Sequence, residues 1–163
     1  MNYKLPINIY SNKKSILQED YIFICRRSDG FNRRLLKIDL LINKEFEYEM
    51  KMESLEYQNS TGKKLCFFLS GNIPINIQEP LEYLLSLKKL DTLISHSYGK
   101  YMTDIGDNDY IFINKKNVIN TSIHILDYET FSKKANSAES ELINLHDSLR
   151  VWVENIYEKM KSV

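Results

Sequence analysis

Four arginines flank one tight-turn signal: Arg26 and Arg27 precede Ser28-Asp29-Gly30-Phe31, and Arg33 and Arg34 follow it. Planar guanidinium groups on a protruding hairpin can hold phosphate or a carboxylate-rich partner through paired hydrogen bonds. The bland alternative is that they neutralise the glutamates of the next strand. Yet two cross-strand pairs use only part of that charge, and Arg26 opposite Arg33 repels unless something acidic is near. A second cluster, Asp104-Ile105-Gly106-Asp107-Asn108-Asp109, gathers three carboxylates. It lacks the ligand alternation and the closing Glu of a calcium loop, so it reads as an Asx-rich turn, an acidic knob for a basic partner surface. The candidate partner-binding residues are therefore Arg26, Arg27, Arg33, Arg34, Asp104, Asp107 and Asp109.

Other chemistry is sparse. Cys25 and Cys66 stand among apolar neighbours and read as reduced, buried thiols acting as small hydrophobes. The three histidines, His96, His124 and His146, are scattered. There is no metal spacing of the HxxxH or CxxC kind, no glycine-rich phosphate loop and no nucleophile elbow, so no cofactor or metal is expected. A triad of Cys25, His124 and an aspartate stays open, since triads are defined in space.

The elements that must position these residues are legible from Tyr21 to Ser70, which reads as an antiparallel β-meander. From Glu45 to Tyr57, Phe46, Tyr48, Met50 and Met52 alternate with Glu45, Glu47, Glu49, Lys51 and Glu53, the pattern of a half-buried strand. The phase changes at Leu55, which predicts a bulge near Glu53 and Ser54. A two-residue type I′ turn at Asp29-Gly30 sets Phe23 opposite Leu36 and Tyr21 opposite Ile38. A loop at Ile42-Asn43-Lys44 sets Leu40 on Phe46, Ile38 on Tyr48 and Leu36 on Met50. In that register Lys37 meets Glu49 and Arg33 meets Glu53, while Asp39 beside Glu47 is an unexplained like-charge pair. A fourth strand, Lys64 to Ser70, is apolar on both sides and belongs centrally or under a helix.

Leu5 to Tyr10 suits an edge strand, with Pro6 near its start. An amphipathic helix is expected from about Pro80 to Ser97, with Gly99 as its stop. A second hairpin joins Tyr110–Ile113 to Val118–Leu126 through Lys115-Lys116-Asn117. Asp109 to Ile113 repeats Asp20 to Ile24, a similarity that chance explains because the flanks share no period. The last helix, from about Ser137 to Lys161, opens on a capping box of Asn136 and Glu139. It carries an apolar stripe of Leu142, Leu145, Leu149, Trp152, Ile156 and Met160, with Trp152 in the core. The fold class is α+β: the meander and the second hairpin packed against two long amphipathic helices, in one domain spanning residues 1–163.

With 22 basic and 22 acidic residues the formal charge is zero, which argues against a chain held to nucleic acid or anionic membrane by its net field. No apolar run reaches the roughly 20 residues of a bilayer span and no signal-peptide core follows Met1, so a cytoplasmic location is expected. The preference for Ile, Asn, Lys and Tyr is typical of low-GC genomes and points to a bacterium or its phage. Size, charge complementarity and lack of catalytic motifs resemble the small bacterial immunity and antitoxin-type proteins. That resemblance implies a non-catalytic protein whose partner is a toxin with an active site to occlude. In element order alone the chain also resembles Whirly-like single-strand binders, which would use Arg26, Arg33 and Lys37 with aromatic side chains. A secretion chaperone, a dimer with an apolar groove, is the third class.

Overall fold

The computed structural model describes residues 20–28, 36–54, 65–101, 106–115 and 117–161. Their elements are β1 (Tyr21–Ser28), β2 (Lys37–Asn43), β3 (Glu47–Ser54), β4 (Leu65–Asn72), α1 (Ile75–Ser86), α2 (Leu90–Leu93), β5 (Ser97–Tyr98), β6 (Asn108–Asn114), β7 (Asn117–Ile123), α3 (Tyr128–Lys134) and α4 (Ser137–Lys161). The strands form one sheet in the order β4-β3-β2-β1-β6-β7-β5, antiparallel except where β5 joins β7. Thus β1 joins the meander to the second hairpin. The α+β class, the meander and the hairpin all stand as expected.

One face of the sheet carries the main core. Phe23, Cys25, Ile38, Leu40, Ile42, Met50 and Met52 meet Ile77, Leu81 and Leu84 of α1 and Leu142, Leu145, Leu149, Val153 and Tyr157 of α4. The far face carries a smaller buried cluster of Ile24, Leu41, Ile111 and Ile113. The capping box closes α4 as read: Asn136 N–H donates to Glu139 Oε1 at 3.2 Å, and Glu139 N–H to Asn136 Oδ1 at 2.8 Å. After Leu149 the buried stripe advances by four, to Val153 and Tyr157. Trp152 is left half-buried, its ring edge-on to Tyr48 at 4.9 Å.

The strand partners differ from the expected register, while the faces, Tyr21 apart, do not. Phe23 pairs with Ile42, Cys25 with Leu40 and Ser28 with Lys37, so the connection from β1 to β2 is longer than two residues. This places Arg26 against Asp39 instead of Arg33, which removes the like-charge contact. The next loop is Lys44-Glu45-Phe46. Asn43 starts it, its Oδ1 accepting from the backbone N–H of Glu45 and Glu47 at 3.0 Å each, and Phe46 takes a φ of 59°. Ile38 then meets Met52, Leu40 meets Met50 and Asp39 meets Lys51, so the expected Asp39–Glu47 clash does not exist. From Phe23 onward both slips are even-numbered, and an even slip keeps a side chain on its face. Tyr21 is the exception: the register shifts between Tyr21 and Phe23, so Tyr21 pairs with Asn43 instead of Ile38 and packs on the far-face cluster.

Four further expectations are corrected. No bulge interrupts β3: its register with β4 is unshifted to Ser54, which is buried and bonded to Tyr157 Oη at 2.8 Å. β4 stands at one end of the order of described strands rather than at its centre; Phe67 and Leu69 pack against the main core while Cys66 and Phe68 are exposed. The helix expected over Pro80–Ser97 is three elements. α1 starts after Pro74, whose carbonyl accepts from Ile77 and Gln78, and contains Pro80 in its buried face. It stops at Ser86, where Leu87 turns extended; Ser86 Oγ donates to the Tyr83 carbonyl at 2.6 Å, Leu87 N–H to the Leu84 carbonyl, and Asn114 Nδ2 to the Leu85 carbonyl at 2.8 Å. Gly99 follows β5; its φ is 81°, and a Cβ there would lie 2.2 Å from the Ile125 carbonyl oxygen. Asn117, expected in the hairpin turn, is already paired to Asn114 as part of β7. The repeated Asp-Tyr-Ile-Phe-Ile stretches lie side by side in β1 and β6, Phe23 on Phe112 and Ile24 on Ile111. Leu5–Tyr10, Asp29-Gly30, Leu55–Tyr57 and Lys64 lie outside the described residues. Among the described residues, no helix is long and apolar enough to cross a membrane.

Candidate functional site

Arg26 and the aspartates of the acidic loop, remote in sequence, meet because β1 pairs with β6. Arg26 lies between Asp39 on β2 and Asp109 on β6, and its Nε donates to Asp39 Oδ1 at 2.9 Å. Farther along the far face Asp39 pairs with Lys51, Lys37 pairs with Glu53, and the Lys51 ammonium contacts the Glu53 carboxylate. The hydrogen bond that the Lys51 ammonium donates to the Glu53 carboxylate holds its pKa above the ordinary value. Around these groups is a cavity of about 390 Å³ lined by the strand segments 26–28 and 37–39, with Lys51, Glu53, Asp107 and Asp109.

The acidic side of the cavity is fixed from two directions. Ser28 N–H donates to the Asp107 carbonyl at 3.0 Å, tying the loop to the end of β1. Asp107 Oδ1 lies 2.8 Å from His124 Nδ1, and Asp109 Oδ1 accepts from Ser122 Oγ at 2.6 Å. Both carboxylates therefore have neighbours that orient them. Arg33, Arg34 and Asp104 lie outside the described residues. Asp39, Lys37, Lys51 and Glu53 join the site although the residues singled out as partner-binding were Arg26, Arg27, Arg33, Arg34, Asp104, Asp107 and Asp109; their signal was the charged face of the meander.

Arg27 does not share the face of Arg26. Alternation along β1 sends it to the helix side with Phe23 and Cys25, and its Nη1 is buried there without a hydrogen-bond partner. Beside it, Tyr110 Oη lies 2.5 Å from His146 Nδ1, both residues being buried. Burial holds the Tyr110 phenol well above its ordinary pKa, so it keeps its proton and donates to a neutral ring. Burial, then the Arg27 and Arg150 charges, lower His146 to about 4. His146 was missed as a neighbour of this corner because it occupies an apolar stripe position between Leu142 and Leu149; a polar residue in such a stripe is the signal.

Two cysteine expectations separate. Cys25 is buried opposite Tyr110, and burial pushes its thiol up to about 12. Cys66 is exposed, against expectation, because the far side of β4 is not covered at that residue. His124 is engaged with Asp107, and the histidine on the helix side near Cys25 is His146, so the proposed Cys25–His124–Asp set is not assembled. At the other end of the sheet a cavity of about 320 Å³ is lined by Tyr21, Asn43, Glu47, Tyr48, Glu49 and their β4 neighbours. Among the described residues, no group of three or more His, Cys, Asp or Glu side chains is placed to hold a metal ion. No protein-family model matches the chain, and no curated protein matches it.

Proposed function

We propose that this chain is a non-catalytic, cytoplasmic, protein-binding protein of the bacterial immunity or antitoxin type, which neutralises a toxin by covering its active site. The observation that carries this reading is the far-face cavity, where Arg26, Lys37 and Lys51 interleave with Asp39, Glu53, Asp107 and Asp109. Interleaved charges of both signs reject mismatched partners and steer the right one, a use that needs complementarity rather than chemistry. The carboxylates in the same cavity oppose a phosphate backbone, which weighs against the nucleic-acid alternative. A thiol at about 12 is a poor nucleophile at neutral pH, which weighs against a role for Cys25 in catalysis.

The test is retention of a partner on the tagged protein from a low-GC bacterial lysate, with Arg26→Ala/Lys51→Ala as the control. One stoichiometric protein is expected, absent from the double variant, toxic when expressed alone and harmless when this chain is co-expressed. Retention of nuclease-sensitive material only would overturn the reading.

A further inference from the structure

The orphaned guanidinium nitrogen of Arg27 is the least satisfied buried polar atom among the described residues. Native structures rarely leave such a group without an acceptor, and a guanidinium can only donate. Arg27 lies two residues beyond Cys25 on the helix side of β1, in a corner floored by the bonded pair Tyr110 and His146. A second guanidinium comes to the same corner from α4. Arg150 lies one turn beyond His146, and its charge, like that of Arg27, acts on the His146 ring and on the Tyr128 hydroxyl. Tyr128 Oη donates to Asp147 Oδ1 at 3.2 Å.

The charges in this corner do not balance. Arg27 and Arg150 bring two positive charges, Asp147 one negative, and His146 is neutral because it titrates at about 4. Tyr128 and Arg150 are exposed, whereas the orphaned nitrogen of Arg27 is buried. We propose that this corner is a binding site for one oxyanion group, a carboxylate or a phosphate, held by the Arg27 fork with Arg150. Both groups offer paired oxygens to a planar guanidinium, which is the geometry that Arg supplies and Lys does not. The site is on the opposite face of the sheet from the mixed-charge cavity, so it stands or falls apart from the toxin reading.

The experiment is a titration of the full-length, nitrogen-15-labelled protein with inorganic phosphate and, separately, with acetate at constant ionic strength, following the arginine Nε–Hε signals. Arg27→Lys assigns the Arg27 signal. A saturable shift of that signal is expected with at least one anion, with Arg26 unmoved, and the tighter anion identifies the group. Arg150→Gln, at an exposed position that leaves the fold intact, is expected to weaken binding about tenfold or more. A response that never saturates with either anion, or one unchanged by Arg150→Gln, would overturn the proposal.

Discussion

On the helix face of the sheet, Cys25, Tyr110 and His146 are buried and each stays neutral; on the far face, Cys66 is exposed and Arg26 pairs with Asp109 across the strands. The same strands supply both sets, so chemical character is decided by burial and by alternation rather than by residue type. Arg26 and Arg27 show it most directly. One lies between two carboxylates, and its neighbour is half-buried with one nitrogen lacking an acceptor.

The largest contrast between the faces is expected in thiol reactivity. Cys66 should be alkylated at pH 8 while Cys25 stays unmodified, the rates differing by about two orders of magnitude or more, because burial pushes the Cys25 thiol up to about 12 and also shields it. Mass spectrometry of the alkylated protein reads this, and equal labelling would mean that the helix face opens readily. A second contrast concerns acid. His146 is neutral in the fold down to about 4 but protonates in the unfolded chain near 6.5, so its contribution is complete above pH 6.5 and is lost as pH falls to about 4. The loss is about 3 kcal/mol, measurable by urea unfolding across that range, and His146→Leu should flatten it. The smallest effect belongs to the far face. The Arg26–Asp39 pair is partly open to solvent, and a double-mutant cycle with alanine should return a coupling of about 1 kcal/mol or less. A coupling several times larger would make the pair a structural staple rather than part of an adaptable surface.

How much of this was legible depended on whether the signal was local. The α4 boundaries and capping box were readable because Asn136, Glu139 and the leucine stripe lie within a few turns of one another. Strand faces were readable from the alternation of Tyr48, Met50 and Met52, but partners were not, since the same faces survive a slip of four or six residues. The Leu85 carbonyl at the end of α1 is met by Asn114, and the need for glycine at residue 99 is set by Ile125, both supplied by distant segments. The site divides in the same way. Arg26 and the aspartates were readable as charged groups, whereas their meeting required the pairing of β1 with β6. The separation of Arg26 from Arg27 followed from alternation alone, yet four arginines around one turn read as a single patch.

The pairing of β1 with β6 also bears on the order in which the molecule assembles. Cys25 and Tyr110 pair across about 85 positions of sequence, whereas the β2–β3 and β6–β7 turns close within a few residues. Chain entropy makes the short closures fast and the long one slow. The meander and the hairpin can therefore each zip up on their own, but the mixed-charge cavity exists only once they have joined. A nascent or partly unfolded chain lacks the cavity, so under the proposed function partner binding there would itself report that folding is complete.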